Sequence, residues 1–447
     1  MIFAVAEYRE HFQQIQNSAD PALNWLRAYR EQQLAQFLAQ GFPTRQQENW
    51  RYTDLSLLTR QSFALANANF SIDTQDIFSA YELKNTEHLR LVFINGYYQA
   101  ALSQLTGLPI GVQLMPLSQA LCICPQHILP YLKQEFPNEP LVNLNTAFMT
   151  DGLFLYLPND CIIKQPIHLL FLSAAQQPMM QQIRNIVRVG DQAQVTLFEH
   201  HGSLTEINYW NNVVTQIHMS PGANLHYYKC QQESAAAIHS AQTNIHQQRD
   251  SQVFAWQGAF GAQLARENWQ VNLAEQNAAV ALHGWYGALE QQHLAQYIQV
   301  NHDAPDTTSS TFYKGLANDK ATAVFNGRIV VQQTAQKTQA KLTNQNLLLA
   351  KTATINAKPE LEIYADDVKC GHSATVGQLD EHALFYLQAR GIDKMCAHQL
   401  LLQAFAENML EPITSDAIKT FIGHLMQQKL CCSIGKERCT RNDEIES

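Results

Sequence analysis

The sequence predicts a mainly β protein, a solenoid of stacked coils flanked by helical N-terminal and C-terminal regions. Three observations carry this expectation. From Leu153 to about Lys369 the chain is a succession of short, alternating apolar segments. The turns between those segments repeat a common plan. Outside them, both ends show capped patterns of helical period.

The first region, residues 1–90, is expected to be mainly helical. In "SADPALNWLRAYREQQLAQFLAQGFPTR", Asp20 is a good N-cap, Pro21 suits the first helical position, and Gly41 with Pro43 closes the far end. Leu23, Leu26, Leu34, Phe37 and Leu38 form an apolar stripe. "LRLVFINGYYQA" then reads as a strand ending at Asn95-Gly96, a pair that accepts positive φ.

A β core is expected over 91–378. "VGDQAQVTLF" at Val189, "SPGANLHYY" at Ser220, "RDSQVFAW" at Arg249, "EQNAAVALHGW" at Glu275, "NDKATAVFNG" at Asn318 and "AKTATINAKP" at Ala350 share one design. Each has a polar or Gly-containing turn, usually a small residue, then alternation. Their starts lie roughly 26 to 43 residues apart, irregular but near the range of repeat architectures. A sandwich would also give such strands, and the pattern favours stacked coils without excluding it. Stacked coils leave bare edges at the end of the stack, which need a cap or a partner.

Residues 379–430 return to helix. Asp380 can cap "EHALFYLQAR", closed by Gly391, and Asp393 can cap "KMCAHQLLLQAFAENML". Ser415 precedes Ile418, Phe421, Ile422 and Leu425, spaced i, i+3, i+4 and i+7. Phe385, Leu387, Leu400, Leu401 and Phe405 supply more apolar surface than short helices on a solenoid hide, which points to a partner groove. The tail 431–447, with Cys431, Cys432 and Cys439 in polar surroundings, is expected to be disordered.

Composition narrows the function. With 46% hydrophobic and 15% charged residues the chain is globular, and its net charge of −9 argues against a general binder of nucleic acid or anionic membrane. "MIFAVAEYREHF" lacks a basic n-region, and no run of about 18 apolar residues could span a bilayer. Nine scattered cysteines favour free thiols, so the expected compartment is the cytoplasm.

The chemistry-bearing residues are few. If "EIYADDVKCGH" is extended, Val368, Cys370 and His372 share one face, so a thiol and an imidazole reach towards one point. Both are competent ligands for iron or zinc, but two donors do not enclose a cluster. Cys122, Cys124 and His127 in "CICPQH" form a partial metal motif in an apolar, buried-looking segment. His200 and His201 point to opposite faces of a strand, and His218 and His226 have no carboxylate-rich motif beside them. No GxSxG, HExxH, P-loop or GxGxxG pattern is present. A rival reading is a carbohydrate-binding or carbohydrate-active solenoid, with Trp256, Trp269 and Trp285 as platforms but no acidic pair.

Several stretches together resemble the SufB/SufD family of iron–sulfur cluster assembly scaffolds, in its SufD branch. They are "GFPTRQQENWRYTDL", "LVFINGYY", "LNTAFMTDGLFLYLP" and, most specifically, "NLLLAKTATINAKPELEIYADDVKCGHSATVGQLDEHALFYLQARGI". SufB-like chains carry a cysteine where "NLLLAKTATINAKPE" has none. Gly371 and Ser373 stand where related motifs often have Ser and Gly, and the tail after Leu430 finds no match. The resemblance implies a right-handed parallel β-helix and a non-catalytic scaffold subunit. It implies SufB and the ATPase SufC as partners. The bare edge leaves open pairing with a second copy when SufB is absent. SufC would dock on Leu384, Phe385, Leu387, Arg390, Leu401 and Phe405. A nascent iron–sulfur cluster would form at the SufB interface with His372 as a ligand and Cys370 beside it, and none is expected in the isolated chain.

Overall fold

The computed structural model describes residues 2–18, 20–68, 80–134 and 139–434. Its centre is a β-solenoid of about seven coils. Each coil gives one strand to each of two parallel sheets. The first sheet runs through Met179–Val189, Tyr209–Met219, Ile238–Gln247, Leu264–Leu273, His293–His302 and Thr322–Val331 to Thr354–Ile363. The second runs through Ile167–Ser173, Gln194–Ser203, Asn224–Gln232, Gln252–Ala259, Ala279–Ala288, Thr308–Ala317 and Gln339–Leu348 to Lys369–Gly377.

The repeated turn is a corner that stacks on itself. Gln192, Gly222, Asp250, Asn277, Asp306 and Lys337 all have positive φ. Their backbone N–H groups donate to the carbonyls of Pro221, Arg249, Gln276, Pro305, Gln336 and Asp367 in the next coil. The small residue that follows each is fully buried: Ala193, Ala223, Ser251, Ala278, Thr307 and Thr338. A tight corner has room for little more than a methyl or hydroxyl there. The turns at Asn318 and Ala350 lie at the opposite corner, where Glu290 and Asp319 take positive φ. Mixing two corners produced the irregular spacing seen in the sequence.

At the start of the stack both sheets end in short antiparallel strands: Leu89–Ile94 with Tyr97–Tyr98, and Gln113–Pro116 with Leu153–Leu157. Asn95 (φ 54°) and Gly96 (φ 76°) make the hairpin turn between the first two. The span 91–378 also contains the helices Leu117–Ile123, Pro125–Leu132 and Pro140–Phe148, two of which open on proline. Continuous strand succession therefore begins at Leu153.

Helices cover the outer faces. Asp20 caps Pro21–Leu26, which leads into Arg27–Gln40, closed by Gly41 at φ 71°. Tyr8, Phe12, Leu34, Phe37 and Phe148 pack on Trp210, Ile238 and Leu264 of the first sheet. Against the second sheet, Leu402, Met409, Ile418, Ile422 and Met426 pack on Trp256, Trp285 and Leu316. Cys431 and Cys432 complete the last turn of helix Asp416–Cys432, so the segment assigned as tail begins inside a helix. Residues 435–447 lie outside the described residues. The eight described cysteines are free thiols. No described helix is long and apolar enough to cross a membrane.

Candidate functional site

Cys370 and His372 lie on Lys369–Gly377, the last strand of the second sheet. Among the described residues it pairs on one side only, with Cys370 beside Ala340 and His372 beside Leu342. Tracing the register backwards places both in the inward columns of the solenoid. Cys370 continues Val280, Ser309 and Ala340, and His372 continues Leu282, Thr311 and Leu342. In an interior coil these positions would be core. Here no further coil follows, so Cys370 is half-buried against the core and His372 is exposed over its uncapped end. The shared face expected from strand parity is therefore present, and its location is the mouth of the core. Burial pushes the Cys370 thiol up from its ordinary value, opposed by a backbone hydrogen bond at Ala340.

The last strand of the first sheet, Thr354–Ile363, is likewise paired on one side only and half-buried along most of its length. Together the two strands present unpaired backbone groups and partly exposed core side chains. Among the described residues, no group of three or more His, Cys, Asp or Glu is placed to hold a metal ion.

The remaining candidates separate. Cys124 is buried and Cys122 exposed. His201 turns inward, 2.8 Å from Glu199, whereas His200 turns outward against Phe421 of the C-terminal helix. His218 stacks near Tyr131 on the outer face, and His226 meets Thr414. Trp256, Trp269 and Trp285 are almost fully buried. Aromatic platforms for a sugar must be exposed, so the carbohydrate reading loses its only sequence feature.

Beside the last strand stands a helix hairpin. Residues 378–380 alone join Lys369–Gly377 to helix Glu381–Ala389, where the Asp380 side chain accepts the His382 backbone N–H. That helix has no buried residue: Phe385 is 71% and Tyr386 58% exposed, Leu384 and Leu387 are half-buried, and Arg390 lies over the Tyr386 ring. Helix Lys394–Ala406, capped by Asp393, adds exposed Met395 and Leu400. Tyr386 and Met395 were missed in the sequence, although a helix apolar on every face was their signal. Leu401 is half-buried. Phe405 faces the solenoid, with the Lys314 ammonium 4.6 Å from its ring centre and donating to the Phe405 carbonyl.

A mainly β solenoid with helices at both ends, one open edge and an exposed apolar helix hairpin beside it defines the class of protein. Sequence relationships identify which one. Residues 171–405 match the family described as SUF system FeS cluster assembly, SufBD core domain, and residues 4–169 match the SufBD protein N-terminal region. The chain belongs to the SufBD family. It is 33% identical over 402 residues, 88% of each chain, to an iron–sulfur cluster assembly SufBD family protein of Synechocystis. It is 29% identical to the iron–sulfur cluster assembly protein SufD of Escherichia coli, covering 90% of this chain and 92% of that one. A chloroplastic protein of Arabidopsis thaliana, ABCI7, is 28% identical over 413 residues, 90% of this chain and 86% of that one.

Proposed function

We propose that this chain is the SufD-type scaffold subunit of a cytoplasmic SUF assembly complex and does no bond-making chemistry of its own. The observation that carries this is the placement of Cys370 and His372 over an open solenoid end: two donors on a strand whose free edge invites another strand. SufB, pairing along Lys369–Gly377 and Thr354–Ile363, would cover the end and contribute the remaining donors. The nascent iron–sulfur cluster is then cargo held between the two chains, with His372 a ligand and Cys370 its neighbour. Without SufB, a second copy of this chain can use the same edges. No nucleic acid or membrane takes part.

SufC docks on the hairpin through Leu384, Phe385, Leu387, Arg390 and Leu401, extended by Tyr386, Met395 and Leu400, while Phe405 is its anchor to the solenoid. Three residues separate the hairpin from the donor strand, so nucleotide-driven movement of SufC reaches that strand directly. The test is co-expression with SufB and SufC, comparing anaerobic cluster yield for wild type and His372→Ala. A lower yield at equal complex content supports the reading; equal yields remove His372 from it.

A further inference from the structure

The strand that carries Cys370 and His372 has little apolar hold on the rest of the molecule. Apart from half-buried Cys370, every residue of Lys369–Gly377 is exposed. A strand with so few buried contacts, and a ladder on one side only, is prone to fray. The interior of the preceding coils supplies a hold of another kind.

One inward column of the second sheet reads Tyr286, Gly315, Asn346 and Val376, and its neighbour reads Gly284, Tyr313, Asn344 and Ala374. Gly315 leaves the space into which the Tyr286 ring leans, so the Tyr286 hydroxyl reaches Asn346 two coils away; a Cβ at 315 would collide with both. Three polar side chains then close a ring. Tyr286 Oη donates to Asn346 Oδ1 at 2.6 Å, Asn346 Nδ2 donates to Asn344 Oδ1 at 2.6 Å, and Asn344 Nδ2 donates to Tyr286 Oη at 3.0 Å.

Each amide has one N–H left over. That of Asn344 goes to the Tyr313 carbonyl at 3.3 Å, and that of Asn346 goes to the Thr375 carbonyl at 3.0 Å. All three side chains are buried, and each of their N–H and O–H groups has an acceptor. Turning the Asn346 amide over would set its oxygen against the Thr375 carbonyl, so the ring fixes which way the amide points. Among the described residues this is the one hydrogen bond from a buried side chain to the backbone of Lys369–Gly377. It falls between His372 and helix Glu381–Ala389, where any movement of the hairpin first meets the strand.

We propose that Asn346 is the positioning residue of the donor strand. Oriented by Tyr286 and Asn344, it clamps Thr375 to the core between His372 and the hairpin, so that His372 keeps its place over the mouth when the hairpin moves. The bearing on cluster assembly rests on the reading of Cys370 and His372 above; the hold on the strand does not.

Hydrogen exchange of the purified full chain tests the hold. Asn346→Leu nearly keeps the volume and removes the bonds, so the backbone amides of 373–377 should exchange about ten-fold faster, while those of Asn224–Gln232, deeper in the stack, stay as in wild type. Unchanged exchange at 373–377, or an equal gain in both strands, overturns the proposal. Tyr286→Phe, which removes a single oxygen, decides the matter where Asn346→Leu does not fold: about three-fold faster exchange at 373–377 supports the clamp, and none overturns it. The triple variant Tyr286→Phe, Asn344→Leu, Asn346→Leu leaves no polar side chain of the ring unpaired. It should lie closer to wild type in urea midpoint than Asn346→Leu does, yet free 373–377 to the same extent; a return to wild-type exchange would mean that the amide served stability alone. On co-expression with SufB and SufC, cluster yield at equal complex content should fall in Asn346→Leu. A freed strand with undiminished yield overturns the positioning role, whereas a yield that ignores His372→Ala as well overturns the reading of the site instead.

Discussion

Replacing Trp256 by Phe should loosen the C-terminal helices while leaving the rest of the solenoid intact. Trp256 is completely buried, its ring lies among Leu402, Met409 and Ile418, and its Nε1 donates to the Met409 carbonyl at 2.9 Å. Phe removes the donor and part of the ring. A buried carbonyl left unpaired costs about 1–3 kcal/mol, and the small void adds about 1 kcal/mol, giving a loss of about 2–4 kcal/mol. Coils of a solenoid depend on their neighbours, so the loss falls where the contact was. At 1.4 kcal/mol per factor of ten, hydrogen exchange across residues 394–432 should speed up roughly 30- to 1,000-fold. Strand His293–His302, on the opposite sheet, should keep its protection. Unchanged exchange over 394–432, or an equal loss everywhere, would refute the idea that this indole clasps the helices to the coils.

Lys229→Met leaves Glu199 and Glu267 facing each other and should cost about 3–5 kcal/mol in urea unfolding, part of it recovered by adding Glu267→Gln; no recovery means the charges are not coupled. Burial alone would lower the His239 pKa, but Glu233 and Glu267 outweigh it and lift it to about 9. Its contribution is therefore complete below about pH 6.5 and lost as pH rises through 9, so urea midpoints should fall between pH 7 and 10 less steeply in His239→Gln. Glu233, also buried, is pulled down to about 2, chiefly by His239, so its contribution is present above about pH 4.5 and lost as pH falls towards 2. At the corner, Gly222→Ala should destabilise by about 1–2 kcal/mol, because φ is +68° and the new Cβ would meet the Gln192 amide. Gly371→Ala, with nothing within 4 Å, should change the urea midpoint by less than about 0.5 kcal/mol.

Much of this architecture is legible in the chain because it is local. Asp20, Asp380 and Asp393 read as caps and each accepts a backbone N–H of the helix it precedes. Ser415 precedes its helix without making a side-chain cap bond. Strand parity put Cys370 and His372 on one face, since that depends only on alternation. That the face looks out of the end of the core depends on how many coils follow, a tertiary fact. The interior charges were invisible for a related reason: alternation treats a charged residue as an outward one, and Glu199, Lys229, His239 and Glu267 are stable inside only because four strands bring them together. The helices of 117–148 were obscured by lying within a span whose neighbours all read as strand.

The two ends of the stack are unlike. One finishes in short antiparallel ribbons, and the other stops in mid-pattern with its ladder groups vacant. A rod whose tips do not match cannot continue its own coil pattern into a second copy, which works against the endless head-to-tail growth that two matching tips would invite.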